Sequence, residues 1–168
     1  MRKIKIVFIT PGVETGGAEK QLALLAKGLS QHGFAPLIIA LSLSERRQRL
    51  SDFDGLQVVE INCRKFLQLA SSMQKIRRVV KCQKPDIIQG WMYAGNIVAS
   101  LIGALIKSRV YHSIRASDMD NERYARQVWI NAKLSLFASA IITNSYKGLR
   151  VHELLGFPKD KMSVIPNG

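Results

Sequence analysis

The sequence predicts an α/β fold built on one doubly wound parallel sheet. Short apolar runs alternate with helix-period segments along the chain. Most of these runs are continuously apolar, as in parallel strands that are buried on both faces. The chain has 168 residues, which is long enough for one such domain with a substantial core. We therefore expect residues 1–168 to form a single Rossmann-like domain.

The predicted strands begin directly after the charged start of the chain. Lys3 and Lys5 alternate with isoleucine, which favours a first strand over a signal peptide. The longest strongly apolar stretch, 97–106, is shorter than the roughly 20 residues of a membrane span. The strands are predicted at 4–10, 36–43, 56–61, 86–90, 110–114, 140–143 and 163–165.

Helical periodicity fills the segments between the strands. The first helix is predicted to start at Gly17 or Ala18, and Gly33 is placed to end it. The second must stop before Lys84, because a residue that precedes proline avoids the helical region. The later helices are predicted at 66–82, 93–106, 121–137 and 146–155.

Polar, aromatic and glycine residues follow the predicted strands, whose ends have the sequences TPG, QGW, IRASD, TNS and IPNG. Ligands of open α/β sheets bind outside the carboxyl ends of the strands. These residues therefore indicate a cleft at one edge of the sheet, although loop tips are polar in any protein. The side chains expected there include Trp91, Arg115, Asp118, Asn144 and Ser145.

The first loop carries Gly16 and Gly17 immediately before a helix. Glycine lets a ligand approach the main chain, and a helix start offers free N–H groups to an anion. The loop is therefore either a phosphate site or simply a tight turn. A dinucleotide fingerprint needs a different glycine spacing and an acidic residue at the end of the second strand, which this chain lacks before Glu45. NAD binding and a P-loop are both disfavoured.

The net charge of +13 permits nucleic acid, anionic membranes or small anions as partners. The basic segments lack the interleaved aromatic residues of a single-strand nucleic-acid platform, so no nucleic-acid partner is expected. Cys63 and Cys82 have no metal-site spacing and indicate reduced thiols in a cytosolic protein. One predicted helix has a basic side that is either a solvated face or a contact with an anionic membrane: Lys75, Arg77, Arg78 and Lys81.

Four stretches resemble the N-terminal half of a group 1 (family 4) retaining glycosyltransferase with the two-domain GT-B fold. They are GGAEKQLALLAKGL at 16–29, KPDIIQGWMYAGNIVASLIG at 84–103, SIRASD at 113–118 and AIITNSYKGLRVHELLGFPKDKMSVIPNG at 140–168. The first and last are the more specific. The resemblance covers essentially the whole chain.

The resemblance implies a function and a set of site residues. It implies hexosyl transfer from a nucleotide-sugar donor, without a metal ion or other cofactor, to a cell-envelope or exported polysaccharide acceptor, including a lipid-linked one. It places the enzyme in the cytoplasm, at the inner face of the membrane. Gly16 and Gly17 would approach the donor phosphates, and Asn167 and Gly168 would lie between the domains. The acceptor pocket would include Trp91, Tyr93, Asn96, Arg115, Asn144 and Ser145.

Two departures from the family pattern affect these expectations. Arg115, with Asp118 nearby, stands where the family commonly has a histidine, and an arginine cannot act as a base. The chain also stops at Gly168, where the family continues into a donor-binding domain. We therefore expect residues 1–168 to be inactive alone. The alternative is a non-catalytic Rossmann-like module that binds an anionic ligand or a protein.

Overall fold

Seven parallel strands form one sheet in the order β3-β2-β1-β4-β5-β6-β7. The computed structural model describes residues 2–14, 16–42, 51–63, 69–115 and 121–167. The strands are β1 (Ile4–Thr10), β2 (Phe34–Ala40), β3 (Val58–Glu60), β4 (Ile87–Trp91), β5 (Arg109–Ile114), β6 (Ala140–Thr143) and β7 (Met162–Val164).

Helices cover both faces of the sheet. They are α1 (Gly17–Gln31), α2 (Leu69–Gln83), α3 (Met92–Ile106), α4 (Asn121–Ser135) and α5 (Tyr146–Leu154). On one face, α1 packs Leu22 and Ala26 against Phe8 and Ile38 of the sheet. On the other face, a second cluster joins α2 and α3 to alternate residues of β1, β2, β4 and β5. A third cluster joins α4 to β5, β6 and β7.

The strand order reverses direction between β1 and β4. From β1 the chain runs outward through β2 to β3, and it then returns to place β4 on the other side of β1. Such a switch point leaves a crevice at the carboxyl ends of the two neighbouring strands. The loop before α1 and the start of α3 both lie at this crevice, because they follow β1 and β4.

Two glycines allow α3 to lie directly against the strands at the switch point. A Cβ atom on Gly95 would clash with the backbone oxygen of Ile9 at the end of β1. A Cβ atom on Gly90 would clash with the backbone of Asn96 in the first turns of α3. Close packing of helix and strand at this point therefore requires glycine at both positions.

The predicted fold class is confirmed, and the strand bounds differ from the prediction by a few residues. The first and sixth predicted strands coincide with β1 and β6. The second strand begins earlier than predicted, at Phe34, since Pro36 is tolerated within it. The fourth helix ends at Ser135, before the predicted end at Phe137. The predicted first residues of the second helix lie outside the described residues.

Candidate functional site

The loop from β1 to α1 lies at the switch point. Carboxylates of this segment occupy the space where side chains at two of its glycines would lie. Gly16 is the N-cap of α1 in an extended conformation that any residue can adopt, with no side-chain cap. A Cβ atom on Gly16 would meet the carboxylate of Glu19, and one on Gly12 would meet that of Glu14. A Cβ atom on Gly17 would meet nothing within 4 Å. The chain's own packing therefore leaves open space at Gly17.

Glu19 lies in the first turn of α1, where a helix stabilises negative charge. Burial raises the pKa of the Glu19 carboxyl, its own backbone N–H opposes that shift, and the charge of Glu14 adds to it. The carboxylate thus accepts a backbone hydrogen bond at the helix start. The net effect is a raised pKa, so burial at the start of α1 outweighs the backbone hydrogen bond and disfavours the charged form of this carboxyl.

Trp91 is the last residue of β4, and its side chain is completely buried. Its indole Nε1 donates a hydrogen bond to the carbonyl oxygen of Ala18 at 2.9 Å. The ring packs edge-on against Phe8, with centroids 6.3 Å apart. The expectation that Trp91 lines an acceptor pocket needs correction, since its side chain has no exposed surface. Trp91 instead lies under Arg115 and contacts the first turn of α1 from the interior of the protein.

Arg115 lies over the Trp91 ring, with its Cζ atom 4.4 Å from the ring centroid. Its Nη1 donates to Oδ1 of Asn167 at 2.9 Å. Its Nε is buried and has no partner among the described residues. Burial lowers the pKa of the guanidinium below its ordinary value. Arg115 is therefore a half-buried cation at the carboxyl edge, and Asp118 lies outside the described residues.

Asn96 belongs to a buried polar network that joins α3 to β5. Its side-chain amide donates to the carbonyl oxygen of Ser113 at 3.3 Å, and its Oδ1 accepts from the backbone N–H of Ser113 at 3.2 Å. The Ser113 hydroxyl also accepts from Nε2 of Gln89 at 2.6 Å. The expected pocket contact of Asn96 is therefore also corrected, because the amide is fully buried and already bonded.

Tyr93 also turns inward rather than toward a pocket. Its hydroxyl lies 2.6 Å from Nε2 of His152 on α5, and burial raises the pKa of Tyr93 to about 12. The other His152 nitrogen, Nδ1, donates to the carbonyl oxygen of Gly148 at 2.7 Å, so Nε2 accepts a hydrogen bond from the Tyr93 hydroxyl. Asn131 of α4 donates to the Tyr93 carbonyl at 2.9 Å. The expected pocket residue thus ties α3, α4 and α5 together.

Asn144 and Ser145 follow β6 at the same edge, and both are half-buried. The Ser145 hydroxyl accepts a hydrogen bond from the backbone N–H of Gly148 at 3.0 Å and caps α5. The Oδ1 of Asn144 is buried and has no partner among the described residues. Asn167 reaches Arg115, whereas Gly168 lies outside the described part of the chain.

The structure therefore brings the first turn of α1, Trp91, Arg115 and Asn167 together. Sequence reasoning missed Gln89, Ser113 and His152, whose roles depend on contacts between distant elements. Among the described residues, no group of three His, Cys, Asp or Glu side chains could hold a metal ion. No helix within the described ranges is long and apolar enough to cross a membrane.

A family model described as Glycosyltransferase Family 4 matches residues 15–168. The match starts at the glycine loop and covers the carboxyl-edge residues described above. The chain belongs to Glycosyltransferase Family 4. Its domain has the α/β architecture of one half of a GT-B protein. A search of curated protein sequences finds no match.

Solved structures confirm the fold at low sequence identity. Anabaena Alr3699/HepE in complex with UDP has a TM-score of 0.81 and 19% identity, covering 98% of this chain and 44% of that one. Acinetobacter baumannii MurG has a TM-score of 0.68 and 15% identity, with 98% and 45% coverage. The UDP-GlcNAc 2-epimerase of Methanocaldococcus jannaschii has a TM-score of 0.65 and 16% identity, with 98% and 46% coverage. The chain thus spans less than half the length of these proteins.

Proposed function

We propose that the protein is the acceptor-side half of a retaining glycosyltransferase. The whole enzyme would transfer a hexosyl group from a nucleotide-sugar donor to a cell-envelope or exported polysaccharide. The observation that carries this proposal is the Family 4 match over residues 15–168. Because the chain covers 44% of HepE, a second domain is expected to supply most donor contacts. We expect residues 1–168 alone to fold as a monomer and to transfer no sugar.

The donor phosphates are proposed to lie at Gly16 and Gly17. Open space surrounds the position where a Gly17 side chain would be. The first turn of α1 supplies N–H groups and the positive end of its dipole. HepE has also been solved with UDP-glucose, which supports a nucleotide-sugar donor. Charge on the departing diphosphate would be balanced by these groups without a metal ion.

The acceptor is proposed to bind beside Arg115, Asn144 and Ser145. Arg115 has an unsatisfied Nε, and Asn144 has an unsatisfied Oδ1, among the described residues. These groups can donate to and accept from sugar hydroxyls or a phosphate. Trp91, Tyr93 and Asn96 are buried beneath this region and fix its position. Asn167, which accepts a hydrogen bond from Arg115, is proposed to face the second domain.

The protein is proposed to work in the cytoplasm at the inner face of the membrane, where lipid-linked acceptors are found. The basic side chains of Lys75, Arg77, Arg78 and Lys81 are exposed on α2. Each basic residue near an anionic leaflet adds about 1 kcal/mol of attraction. The buried side of α2 contacts the sheet through Ile76 and Val80, so α2 itself contributes charge alone.

The test replaces Gly17 with valine in the protein encoded by the whole reading frame. The new side chain enters open space, so the fold should survive while the diphosphate is displaced. Gly28→Val is the matched control, because Gly28 lies in the same helix and also faces open space. Titration calorimetry with UDP-glucose should show donor affinity lost in the first variant and retained in the second.

Unchanged donor affinity in Gly17→Val would remove the phosphate assignment. A second assay measures release of nucleoside diphosphate from several nucleotide sugars, in the presence of extracted membrane lipid. Turnover by the whole protein supports the proposal, whereas turnover by purified residues 1–168 contradicts the two-domain arrangement. Anion binding with no turnover under any condition would favour the non-catalytic module.

A further inference from the structure

The space over Gly16 is filled by a side chain of the protein itself. The atoms that a Cβ atom on Gly16 would meet first all belong to the carboxyl group of Glu19. The extended backbone of Gly16 suits any residue, so only the end of a flexible side chain occupies this space. Gly17, by contrast, is exposed and faces open space. The proposed phosphate position is therefore open at Gly17 and covered by a carboxylate at Gly16.

The Glu19 carboxylate also uses one of the N–H groups at the start of α1. The first hydrogen bond within the helix runs from the Lys20 N–H to the Gly16 carbonyl oxygen at 3.1 Å. The N–H groups of Gly17, Ala18 and Glu19 precede this bond and have no partner within the helix. The Glu19 carboxylate accepts a hydrogen bond from the N–H of its own residue. A phosphate at the helix start therefore meets a negative charge that already bonds one of the available donors.

The surroundings of Glu19 make its negative charge unfavourable. Burial has the largest effect on its pKa, and the charge of Glu14, whose carboxylate lies over Gly12, raises that pKa further. Among the described residues no cation offsets these two effects, and Arg115 lies over the Trp91 ring instead. The sheet and the 51–53 turn contribute apolar side chains to the buried side of α1. The carboxyl group is therefore poised to be protonated or displaced when another anion approaches.

We propose that Glu19 is a further functional residue of the donor site: its carboxylate competes with a donor phosphate for the place over Gly16, and a nucleotide-sugar binds tightly only when this carboxylate is protonated or has moved away. The inference rests on the proposed position of the donor phosphates at Gly16 and Gly17. Two like charges in one site disfavour each other. A bound diphosphate therefore raises the pKa of the Glu19 carboxyl above its value in the free protein, and donor binding takes up protons.

Donor affinity should therefore depend on pH. The Glu19 carboxyl has its higher pKa in the donor-bound state, so the affinity is constant above that pKa and rises as the pH falls through it. The rise ends where the carboxyl of the free protein is protonated as well. UDP-glucose is the suitable probe, because its diphosphate is esterified at both ends and lacks the second ionisation that a terminal phosphate has near pH about 6. A change of affinity with pH then arises in the protein.

The experiment titrates UDP-glucose into the protein encoded by the whole reading frame, from about pH 8.5 to about pH 6, by calorimetry. Glu19→Gln should raise the affinity about tenfold at the upper end of this range and should remove most of the increase toward lower pH. Titrations in two buffers of different ionisation enthalpy give the number of protons taken up per donor bound. We expect the wild-type protein to take up protons where its affinity rises, and Glu19→Gln to take up far fewer.

Two control variants separate the charge of Glu19 from other effects. Glu60→Gln makes the same substitution at an exposed carboxylate that ends β3, two strands away from β1 on the same edge of the sheet. It should leave the affinity and its pH dependence unchanged. Glu19→Asp keeps a negative charge in the first turn of α1 on a shorter side chain, so most of the pH dependence should remain. If Glu19→Asp binds UDP-glucose as tightly as Glu19→Gln, the obstacle is the length of the side chain, which contradicts the proposal.

Wild-type behaviour of Glu19→Gln, or weaker binding by this variant at every pH, would overturn the role of Glu19. The Gly17→Val variant distinguishes this result from failure of the proposed function. If Gly17→Val loses donor affinity while Glu19→Gln binds like the wild type, the phosphates lie at the loop and only the role of Glu19 is wrong. If neither substitution affects binding, the phosphate position is wrong as well. Glutamine forms helices about as readily as glutamate, so Glu19→Gln should fold, and circular dichroism checks this.

Discussion

At the carboxyl edge of the sheet the polar side chains bond to one another, whereas at the amino edge they carry charge and face solvent. Asn96 and Ser113 exchange two hydrogen bonds in the interior, and Tyr93 is bonded to His152. At the opposite edge, Lys81 and Lys107 line open hollows. The hydrogen bonds at the carboxyl edge fix the positions of the side chains. The exposed charges at the amino edge produce a positive electrostatic potential. Substitutions at the two edges should therefore differ in their effect on stability.

The largest expected effect is that of Trp91→Ala at the carboxyl edge. Removal of a fully buried indole should lower the free energy of unfolding by about 3–5 kcal/mol, because it leaves a cavity and removes the bond to Ala18. Urea unfolding measures the loss. Trp91→Phe should cost less, since a ring remains in the core. A fully stable Trp91→Ala variant would mean that the indole is not part of the core.

Gly95→Ala and Gly28→Ala make the same substitution in two helices, and we expect them to change the free energy of unfolding in opposite directions. The new methyl group of Gly95→Ala would clash with the backbone of β1, at a cost of about 3 kcal/mol. Gly28 faces open space in α1, so alanine there should stabilise the protein by about 0.5–1 kcal/mol. Thermal or urea unfolding of the pair checks the close approach of α3. Similar changes in stability for the two variants would contradict the close approach of α3 to β1.

His112 should make stability depend on pH. Its Nε2 lies 2.7 Å from the Ser100 hydroxyl, and burial lowers the pKa of His112 to about 4 from 6.5. The folded protein then binds fewer protons than the unfolded chain below pH 6.5, so stability is full above that pH and is lost as the pH falls toward 4.

The expected loss from His112 is about 2 kcal/mol between about pH 7.5 and about pH 5. Urea unfolding at several pH values measures it. His112→Gln should flatten the curve in part, because burial also lowers the pKa of His152. An unchanged slope in the variant would assign the dependence to other groups.

The smallest effect is expected at the amino edge. Arg78→Gln combined with Lys81→Gln should change the free energy of unfolding by no more than about 0.5 kcal/mol, since both side chains are exposed. Removing positive charge from a strongly basic protein also reduces its self-repulsion, which favours the folded state. A loss above about 1 kcal/mol would show that these residues contribute to the fold, and the contrast between the edges would then disappear.

Most of the fold could be predicted from the sequence because its signals are local. The continuous apolar runs gave β1 and β6 with their observed bounds, and Pro85 correctly limited the second helix. The glycine loop was placed between strand and helix for the same reason. Local patterning cannot, however, tell how closely elements pack, so the requirement for Gly95 at the backbone of β1 was not predicted.

The candidate site was predicted less well because it depends on the direction of side chains. Trp91, Tyr93 and Asn96 were correctly expected at the carboxyl edge, but all three point into the core. Trp91 is turned inward by the position of α1, which comes from a segment some 70 residues earlier; its bond to Ala18 spans 73 positions. The expected roles of Arg115, Asn144 and Ser145 stay predictions.

The Trp91 indole links two parts of the site that are far apart in the chain. The indole Nε1 donates a hydrogen bond to the carbonyl oxygen of Ala18 in the first turn of α1, and the guanidinium of Arg115 lies over the face of the ring. A shift of either group therefore moves the surface on which the other rests. Under the proposed assignment of the donor phosphates to the glycine loop and of the acceptor to Arg115, the two binding events would be energetically coupled, and such coupling is reciprocal: each ligand would change the affinity for the other by the same factor.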